Sequence, residues 1–454
     1  MIIIEAFFNP RSVAIIGASR SPTKIGHVIL KNFVSYGYKG RIFPINPNAD
    51  KILGIQCYKS ILDIKEKIDL AVIVIPASIS IKVVEDCIKK KIKSLIMVTG
   101  GFSEIGNVET EKKIGEIIKK NKVRLIGPNC LGILDLYTNV DTFFLPRSRM
   151  ARPRPGNISI ITQSGGVGSS IPDIMAKENF GASKIISYGN GLDIKESDLL
   201  EYLNKDPTTK VICLYIEGIK DGKKFMEVSK KVSKVKPIVA IKGGITEEGS
   251  KAVISHTASI AGSSEIYTAA FKQTGIVEVD SYETLFNAAN TLANSPKPSS
   301  NKVQIITNAG GVGILCIDSV IKNNLRSASL SKSSFNVLKS KLKPIASINN
   351  PIDLTGNAST EDYLVAIETC LREKDIGILL IALMMQVPTV SPDIINLIGD
   401  IHKKSKKPII ITSPGGTYSE IHRRHLQILG VPAYNYPDEA VKSIKALCDY
   451  YKIK

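Results

Sequence analysis

One histidine, one glutamate and two glycine turns are the residue types that could supply a nucleophile, its orienting acid and backbone N–H groups for an anion. His256 lies in "VISHTASIAGS", residues 253 to 263, and is one of only five histidines among 454 residues. That loop holds no Cys, Asp or second His, so metal-ligand spacing is missing and the imidazole needs another use. Glycines and small residues flank it in "AIKGGITEEGSKAVISHTASIAGSSEIY", giving a segment that can approach other backbone closely and move. Earlier by 256 minus 217, or 39 positions, Glu217 ends an expected strand in "LYIEGIKDGKKF". A carboxylate there could accept from one ring nitrogen, fix the tautomer and leave the other nitrogen as a nucleophile. From spacing alone the pair reads equally well as a surface His in a flexible loop and a Glu capping a helix.

The glycine turns occur as a pair. "ISIITQSGGVGSSIPDIMAKEN" from Ile158 and "VQIITNAGGVGILCIDSVIKNN" from Val303 align without a gap, at an offset of 307 minus 162, or 145 residues. Gly165-Gly166 and Gly310-Gly311 each stand where a strand turns into a helix, with Gln163 and Ser164 leading into the first turn. Helix N-termini carry about half a positive charge and unpaired N–H groups, so two aimed at one point would favour a dianion. A single turn of this kind more often merely connects a strand to a helix. Its duplication over strand, turn and helix argues for a shared function.

A further glycine turn near the start, "VAIIGASRSPTKIG", departs from the dinucleotide fingerprint. Ser19 and Pro22 replace the second and third glycines, and the next strand ends in "INPNA" without an acid for a ribose hydroxyl. NAD is therefore not expected. Gly17, Ala18 and Ser19 would still offer N–H groups to a phosphate at a helix N-terminus, with Lys24 adding charge. Other expected strand ends carry Pro47, Ile75-Pro76, Thr99-Gly100 and Pro128-Asn129, which would line a nucleotide that is not a redox cofactor. The alternative is a plain tight turn after a first strand.

The elements that must position these residues alternate. Short β-branched runs such as "SVAIIG", "DLAVIVIP" and "SLIMVTG" are separated by amphipathic stretches, which predicts α/β architecture with parallel sheets covered on both faces. "LPRSRMARPRPGN" (145–157) and "LANSPKPSSNK" (292–302) lack a hydrophobic period and read as linkers. They predict three domains, at 1–150, 151–295 and 300–454.

Composition narrows the function. With 43% hydrophobic and 22% charged residues, the chain has ordinary globular character. The net charge of +18 comes from dispersed lysines, as in "CIKKKIKS", so a solvated surface that also attracts anionic small molecules is expected and nucleic acid is not. Seven well-separated cysteines without a CxxC pair predict reduced, mostly buried thiols in a cytoplasmic protein. Neither a signal peptide nor a membrane-length apolar run is apparent, so no membrane partner is expected.

With "SVAIIGAS", "LIGPNCLG", "TQSGGVG", "LYIEGI", "SHTASIAG", "TNAGGVG" and "NNPIDLTGNAS" in this order, the whole chain resembles the nucleoside-diphosphate-forming acyl-CoA synthetases, relatives of succinyl-CoA synthetase. Its likeness is to the α subunits of ADP-forming acetyl-CoA synthetases. The resemblance implies a Rossmann-like CoA-binding domain followed by two flavodoxin-like ligase domains. It makes His256 the phosphorylated histidine, Glu217 its orienting acid, and Gly165-Gly166 and Gly310-Gly311 the helix starts that hold the phosphate. It puts Gly17, Ser19, Lys24, Pro47, Pro76 and Asn129 at CoA-contacting positions, and Gln163, Ser164 and Asn190 near the acyl pocket. CoA, phosphate and a small carboxylic acid or acyl-CoA are the implied substrates. Fused relatives carry an ATP-grasp domain that these residues do not supply. A separate ATP-grasp β subunit in an α2β2 assembly, holding Mg²⁺ and ADP/ATP, is therefore implied. The rival readings are a non-catalytic CoA-binding regulatory or scaffold protein, and a CoA-dependent protein acyltransferase, for whose extra domain no residues remain.

Overall fold

The computed structural model describes residues 2–249, 251 and 263–453. The chain forms two compact units, Met1–Glu278 and Val279–Lys454.

Among its described residues the first unit contains two large sheets. β1 (Ser12–Ile16), β2 (Arg41–Ile45), β5 (Leu70–Ile73), β6 (Ser94–Met97) and β7 (Arg124–Ile126) form an all-parallel sheet in the order β2-β1-β5-β6-β7, beside a small hairpin of β3 (Lys51–Ile52) and β4 (Ile55–Gln56). Ile16 pairs with Ile45 and Ile73, and Ile73 with Met97, so these strands end level. The second sheet joins β8 (Gly132–Asp135), β9 (Pro155–Thr162), β10 (Ala182–Ser187), β11 (Val211–Ile216), β12 (Ile238–Lys242) and β13 (Val277–Glu278) in the order β13-β12-β11-β9-β10-β8. Its strands are parallel apart from β8, which runs antiparallel to β10. Continuous burial along β1, β5, β6, β10 and β12 fits sheets covered on both faces.

β8 belongs by position to the expected first domain, yet it is an edge strand of the second sheet. Buried Lys184 of β10 ties it there by pairing with Asp135 at 3.4 Å and with Asp206 at 2.9 Å. One apolar cluster accordingly runs from Phe7 and Phe33 through Ile126 and Ile161 to Leu214. The two sheets share a core.

The second unit has one sheet. β14 (Lys302–Thr307), β15 (Arg326–Ser327), β16 (Ser347–Ile348), β17 (Ile352–Asp353), β18 (Ile378–Ala382), β19 (Ile409–Thr412) and β20 (Ala433–Tyr434) take the path β16-β17-β14-β18-β19-β20, with β15 beside β14. The helix Tyr282–Asn294 is part of this unit. Its Thr291 hydroxyl shares hydrogen bonds with Tyr434 at 2.6 Å and Ser443 at 2.9 Å. The stretch read as a linker from 292 is thus helical through Asn294.

The repeat expected from the glycine turns is present in backbone detail. β9 ends at Thr162 and β14 at Thr307, and the helices Gly165–Lys177 and Gly310–Lys322 begin and end at aligned positions. β9 lies between β10 and β11, while β14 lies between β17 and β18 and also pairs with β15. Each buried threonine locks the turn in the same way. Thr162 Oγ1 donates to Ser164 O and accepts from Ser164 N, both at 3.1 Å; Thr307 Oγ1 donates to Ala309 O at 3.1 Å and accepts from Ala309 N at 3.0 Å.

All seven cysteines are free and buried. Among the described residues no helix is long and apolar enough to cross a membrane.

Candidate active site

The carboxyl ends of the first sheet gather the residues expected around a nucleotide. Gly17 follows β1, Pro47 follows β2, Ile75 and Pro76 follow β5, Thr99 and Gly100 follow β6, and Asn129 follows β7. Gly17 has φ +95°, and a Cβ there would lie 2.0 Å from Val74 O, so the turn requires glycine. The helix does not open at Gly17–Ser19, as the sequence reading supposed. It opens at Ile25 with Lys24 as N-cap, so N–H groups of residues 17–19 are not its N-terminus. The physical reason is that the intervening loop satisfies itself: Asn46 Nδ2 donates to Ala18 O at 2.7 Å, and Ser21 N donates to Ser19 Oγ at 3.1 Å. Gly26, overlooked in the sequence, lets the helix sit on the turn, because a Cβ there would stand 2.0 Å from Gly17 O. A glycine nine residues after Gly17 was the available signal.

Loops after β7 and β10 bring the two sheets' ligand edges together. Gly189 approaches so closely that a Cβ would lie 2.2 Å from Asn129 O, and Asn190 N donates to Pro128 O at 3.0 Å. Asn190 then donates to Glu104 Oε2 at 2.8 Å and Glu111 Oε2 at 2.9 Å while accepting from Asn129 Nδ2 at 3.2 Å. Partial burial pushes the Glu104 carboxyl up, but hydrogen bonds from Asn190 and from the Gly101 and Phe102 N–H groups outweigh it and hold the group below its ordinary value. Two acids thus fix the Asn190 amide. Neither Glu104 nor Glu111 carried a motif in the sequence.

At the second sheet's switch point, the loops after β9 and β11 are bridged by Gln163. Its Oε1 accepts from Glu217 N and, at 3.0 Å, from Gly218 N, and its Nε2 donates to Gly218 O at 2.7 Å. The amide holds the Glu217 backbone, and the Glu217 side chain is 6% exposed. Burial lowers Lys242, opposed by the negative charge of Glu217; burial, then Glu196, then Glu217 raise Tyr188, so both side chains feel the Glu217 carboxylate. Ser164 caps the next helix, accepting from Val167 N at 3.4 Å. Gly165 and Gly166 occupy the helix's first two positions, where N–H groups have no intrahelical acceptor, and a Cβ at Gly165 would meet nothing within 4 Å. An anion can reach that backbone.

A cavity of about 420 Å³ joins these parts. Asn129 lines it from the first sheet's edge, Asn190 from the loop after β10, and Gln163, Gly165, Gly166 and Ser169 from the turn after β9. Lys220 stands at it with Nζ donating to Asn190 O at 3.1 Å. Cys130 also lines the cavity, but burial pushes its thiol up to about 12 and Sγ donates to Met97 O at 3.3 Å, so it is wall and not nucleophile. His256 lies outside the described residues.

Gly310 and Gly311 belong to the second unit. Gly311 is open, whereas a Cβ on Gly310 would stand 2.6 Å from Asp353 Oδ2, and Asp353 Oδ1 accepts from Thr355 N at 2.8 Å. A carboxylate therefore lies against this helix start, unlike its repeat. Asn308, the counterpart of Gln163, also bridges two strand ends, to Met384 O at 3.1 Å and Met384 N at 2.9 Å. The strand registers pair Thr162 with Tyr215 and Thr307 with Ala382, so Met384 stands where the first unit has Glu217.

Comparisons with known proteins fit this geometry. The chain matches a CoA binding domain over residues 11–135, a succinyl-CoA ligase like flavodoxin domain over 155–292 and a ligase-CoA domain over 303–453. It is 37% identical over 458 residues to acetate–CoA ligase (ADP-forming) II subunit alpha of Pyrococcus furiosus, covering 99% of this chain and 98% of that one. It is 44% identical over 449 residues to acetate–CoA ligase (ADP-forming) of Methanocaldococcus jannaschii, covering 98% of this chain but spanning 63% of that protein's length. A solved structure of Ca. Korarchaeum cryptofilum dinucleotide forming acetyl-coenzyme A synthetase 1 in complex with phosphate and ADP superposes with a TM-score of 0.92 at 36% identity, covering 99% of this chain and 97% of that one. Its CoA-binding domain, the two ligase domains behind it and these full-length likenesses show that the chain belongs to the ADP-forming acetate–CoA ligase family.

Proposed function

We propose that the chain is the CoA-binding, phosphohistidine-bearing subunit of an ADP-forming acyl-CoA synthetase, catalysing acyl-CoA + ADP + phosphate ⇌ carboxylic acid + ATP + CoA. The observation that carries this reading is the 420 Å³ cavity, which sets the open helix start at Gly165-Gly166 and the Gln163 bridge beside the ligand edge of the CoA-binding sheet. A phosphate oxygen attacks the thioester carbon, the C–S bond breaks, and the thiol leaves with the proton that phosphate gives up. The acyl phosphate then loses its phosphoryl group to a ring nitrogen of His256, releasing the carboxylate. Gly165 and Gly166 N–H groups hold the dianion, and the Glu217 carboxylate accepts from the other ring nitrogen and stabilises the imidazolium. Splitting the transfer lets one covalent intermediate serve two distant sites.

Gly17, Ala18, Ser19, Lys24, Pro47, Ile75, Pro76, Thr99, Gly100 and Asn129 are assigned to CoA, and Gly310-Gly311 to the second hold on the phosphohistidine. Mg²⁺ and ADP/ATP are assigned to a separate ATP-grasp β subunit in an α2β2 enzyme of the cytoplasm. This partner is supported by the subunit name of the Pyrococcus furiosus relative and by the greater length of the Methanocaldococcus jannaschii protein. His256→Asn tests the reading. Acid-labile label from radioactive phosphate plus acyl-CoA should vanish while CoA affinity stays. A variant that still made ATP with the partner at the wild-type rate would overturn the mechanism.

A further inference from the structure

Most polar side chains around the cavity are already engaged with the protein. Gln163 Oε1 accepts from Glu217 N and Gly218 N, and its Nε2 donates to Gly218 O at 2.7 Å. Asn190 Nδ2 donates to Glu104 at 2.8 Å and Glu111 at 2.9 Å, while its Oδ1 accepts from Asn129 Nδ2 at 3.2 Å. Ser169 Oγ donates to Gly166 O at 2.7 Å. Lys220 differs. Among the described residues it is the only charged side chain in the lining, and its ammonium keeps N–H groups beyond the one given to Asn190 O at 3.1 Å. Lys224, on the helix that follows, pairs with Asp198 at 2.8 Å, whereas among the described residues no carboxylate pairs with Lys220. The bond to Asn190 O sets the ammonium beside the loop that touches Asn129, and the open Gly165-Gly166 turn lines the same cavity. A thioester reached from the CoA edge and attacked by phosphate held at that turn must lie between the two.

We propose that Lys220 is a further catalytic residue, whose ammonium donates to the thioester carbonyl oxygen as phosphate attack turns that oxygen into an oxyanion. The proposal rests on the ligase reading. A phosphate oxygen bonds to the carbonyl carbon, and the C=O π pair moves onto the oxygen beside Lys220. Return of that pair expels sulfur, which takes the proton that phosphate gives up. Lys220 keeps all of its protons throughout. The Gly165 and Gly166 N–H groups hold the attacking phosphate, so the oxyanion needs a donor of its own. An exposed lysine would ordinarily have to be ordered for this work, but the bond to Asn190 O holds Lys220 in advance. Asn190 is itself fixed by two acids, so the donor is aimed before charge develops, which is what makes such a group effective.

The test compares two routes to labelled His256, using the purified chain with its partner subunit. Radioactive phosphate plus acetyl-CoA requires cleavage of the thioester; radioactive acetyl phosphate does not. Lys220→Met should slow the first route about 100-fold or more with the KM for phosphate unchanged. It should slow the second by a far smaller factor, because charge there builds on the phosphoryl oxygens and the departing carboxylate. Lys220→Arg, which keeps the charge, should retain more of the acetyl-CoA rate than Lys220→Met. A wild-type rate from acetyl-CoA in Lys220→Met would overturn the proposal. So would equal slowing of both routes, which marks Lys220 as a tether of the Asn190 loop, or a loss confined to the KM for phosphate, which marks it as a phosphate clamp. Lys220→Arg as slow as Lys220→Met would overturn the role of the charge. Wild type labelled by neither route would overturn the ligase reading itself, and this proposal with it.

Discussion

Gly165 and Gly17 answer the same substitution in opposite ways. Gly165→Ala places a methyl group in open space on a helix, so the fold should gain up to about 1 kcal/mol. That methyl stands where phosphate would lie, so the KM for phosphate should rise about tenfold or more with the melting temperature unchanged or higher; an unchanged KM would remove Gly165 from the phosphate site. Gly17→Ala meets Val74 O at φ +95° and should cost about 1–3 kcal/mol or more, read as a lower urea midpoint. Glu217→Gln keeps size and removes the charge beside the proposed imidazolium. Phosphorylation should slow by about 100-fold or more while CoA affinity holds, because a donor or dipole aimed at developing charge is worth that much. A normal rate would leave Glu217 a structural acid beneath the Gln163 bridge.

Among elements, the helix Pro437–Tyr450 carries a pH response. Glu439 accepts from Asn435 N at 3.2 Å and Tyr436 N at 3.5 Å at its first turn. Burial, then the charge of Glu283 on the helix Tyr282–Asn294, push its carboxyl from the ordinary 4.5 up to about 7. The folded state therefore binds more protons than the unfolded state between these values. Stability from this group is full below about 4.5 and is lost as pH rises through about 7. Unfolding of the second unit should show stability falling from pH 5 to pH 8, and Glu439→Gln should flatten that slope. A slope equal in both proteins would remove Glu439 as its source.

On the scale of the molecule, the repeated strand, turn and helix stand once in each unit, with unequal switch points. The Gln163 and Asn308 bridges are counterparts, yet Glu217 in the first unit is matched by Met384 in the second, and Asp353 lies against the second helix start alone. The proposed acid chemistry thus sits on the first unit. Labelling of His256 should then occur from acyl-CoA plus phosphate in the isolated chain, whereas γ-labelled ATP should label it only after the partner is added. Efficient labelling by ATP in the isolated chain would sink the assignment of the nucleotide to another subunit.

Much of this was legible in the residues themselves. Continuous β-branched runs and the 145-residue offset announced parallel sheets and a repeated strand, turn and helix, because strand period and turn chemistry are local. The residues expected at the strand ends do follow those strands for the same reason. Tertiary structure alone decided that β8 leaves the first sheet for the second, where buried Lys184 holds Asp135. It likewise decided that Leu145, at the start of a Pro- and Arg-rich stretch without hydrophobic period, lines the cavity with its carbonyl held by Arg152, and that Gly26 seats a helix which opens at Ile25. These depend on contacts between residues far apart in the chain, such as Asn32 with Phe143 across 111 positions, and no local pattern encodes the partner of such a contact.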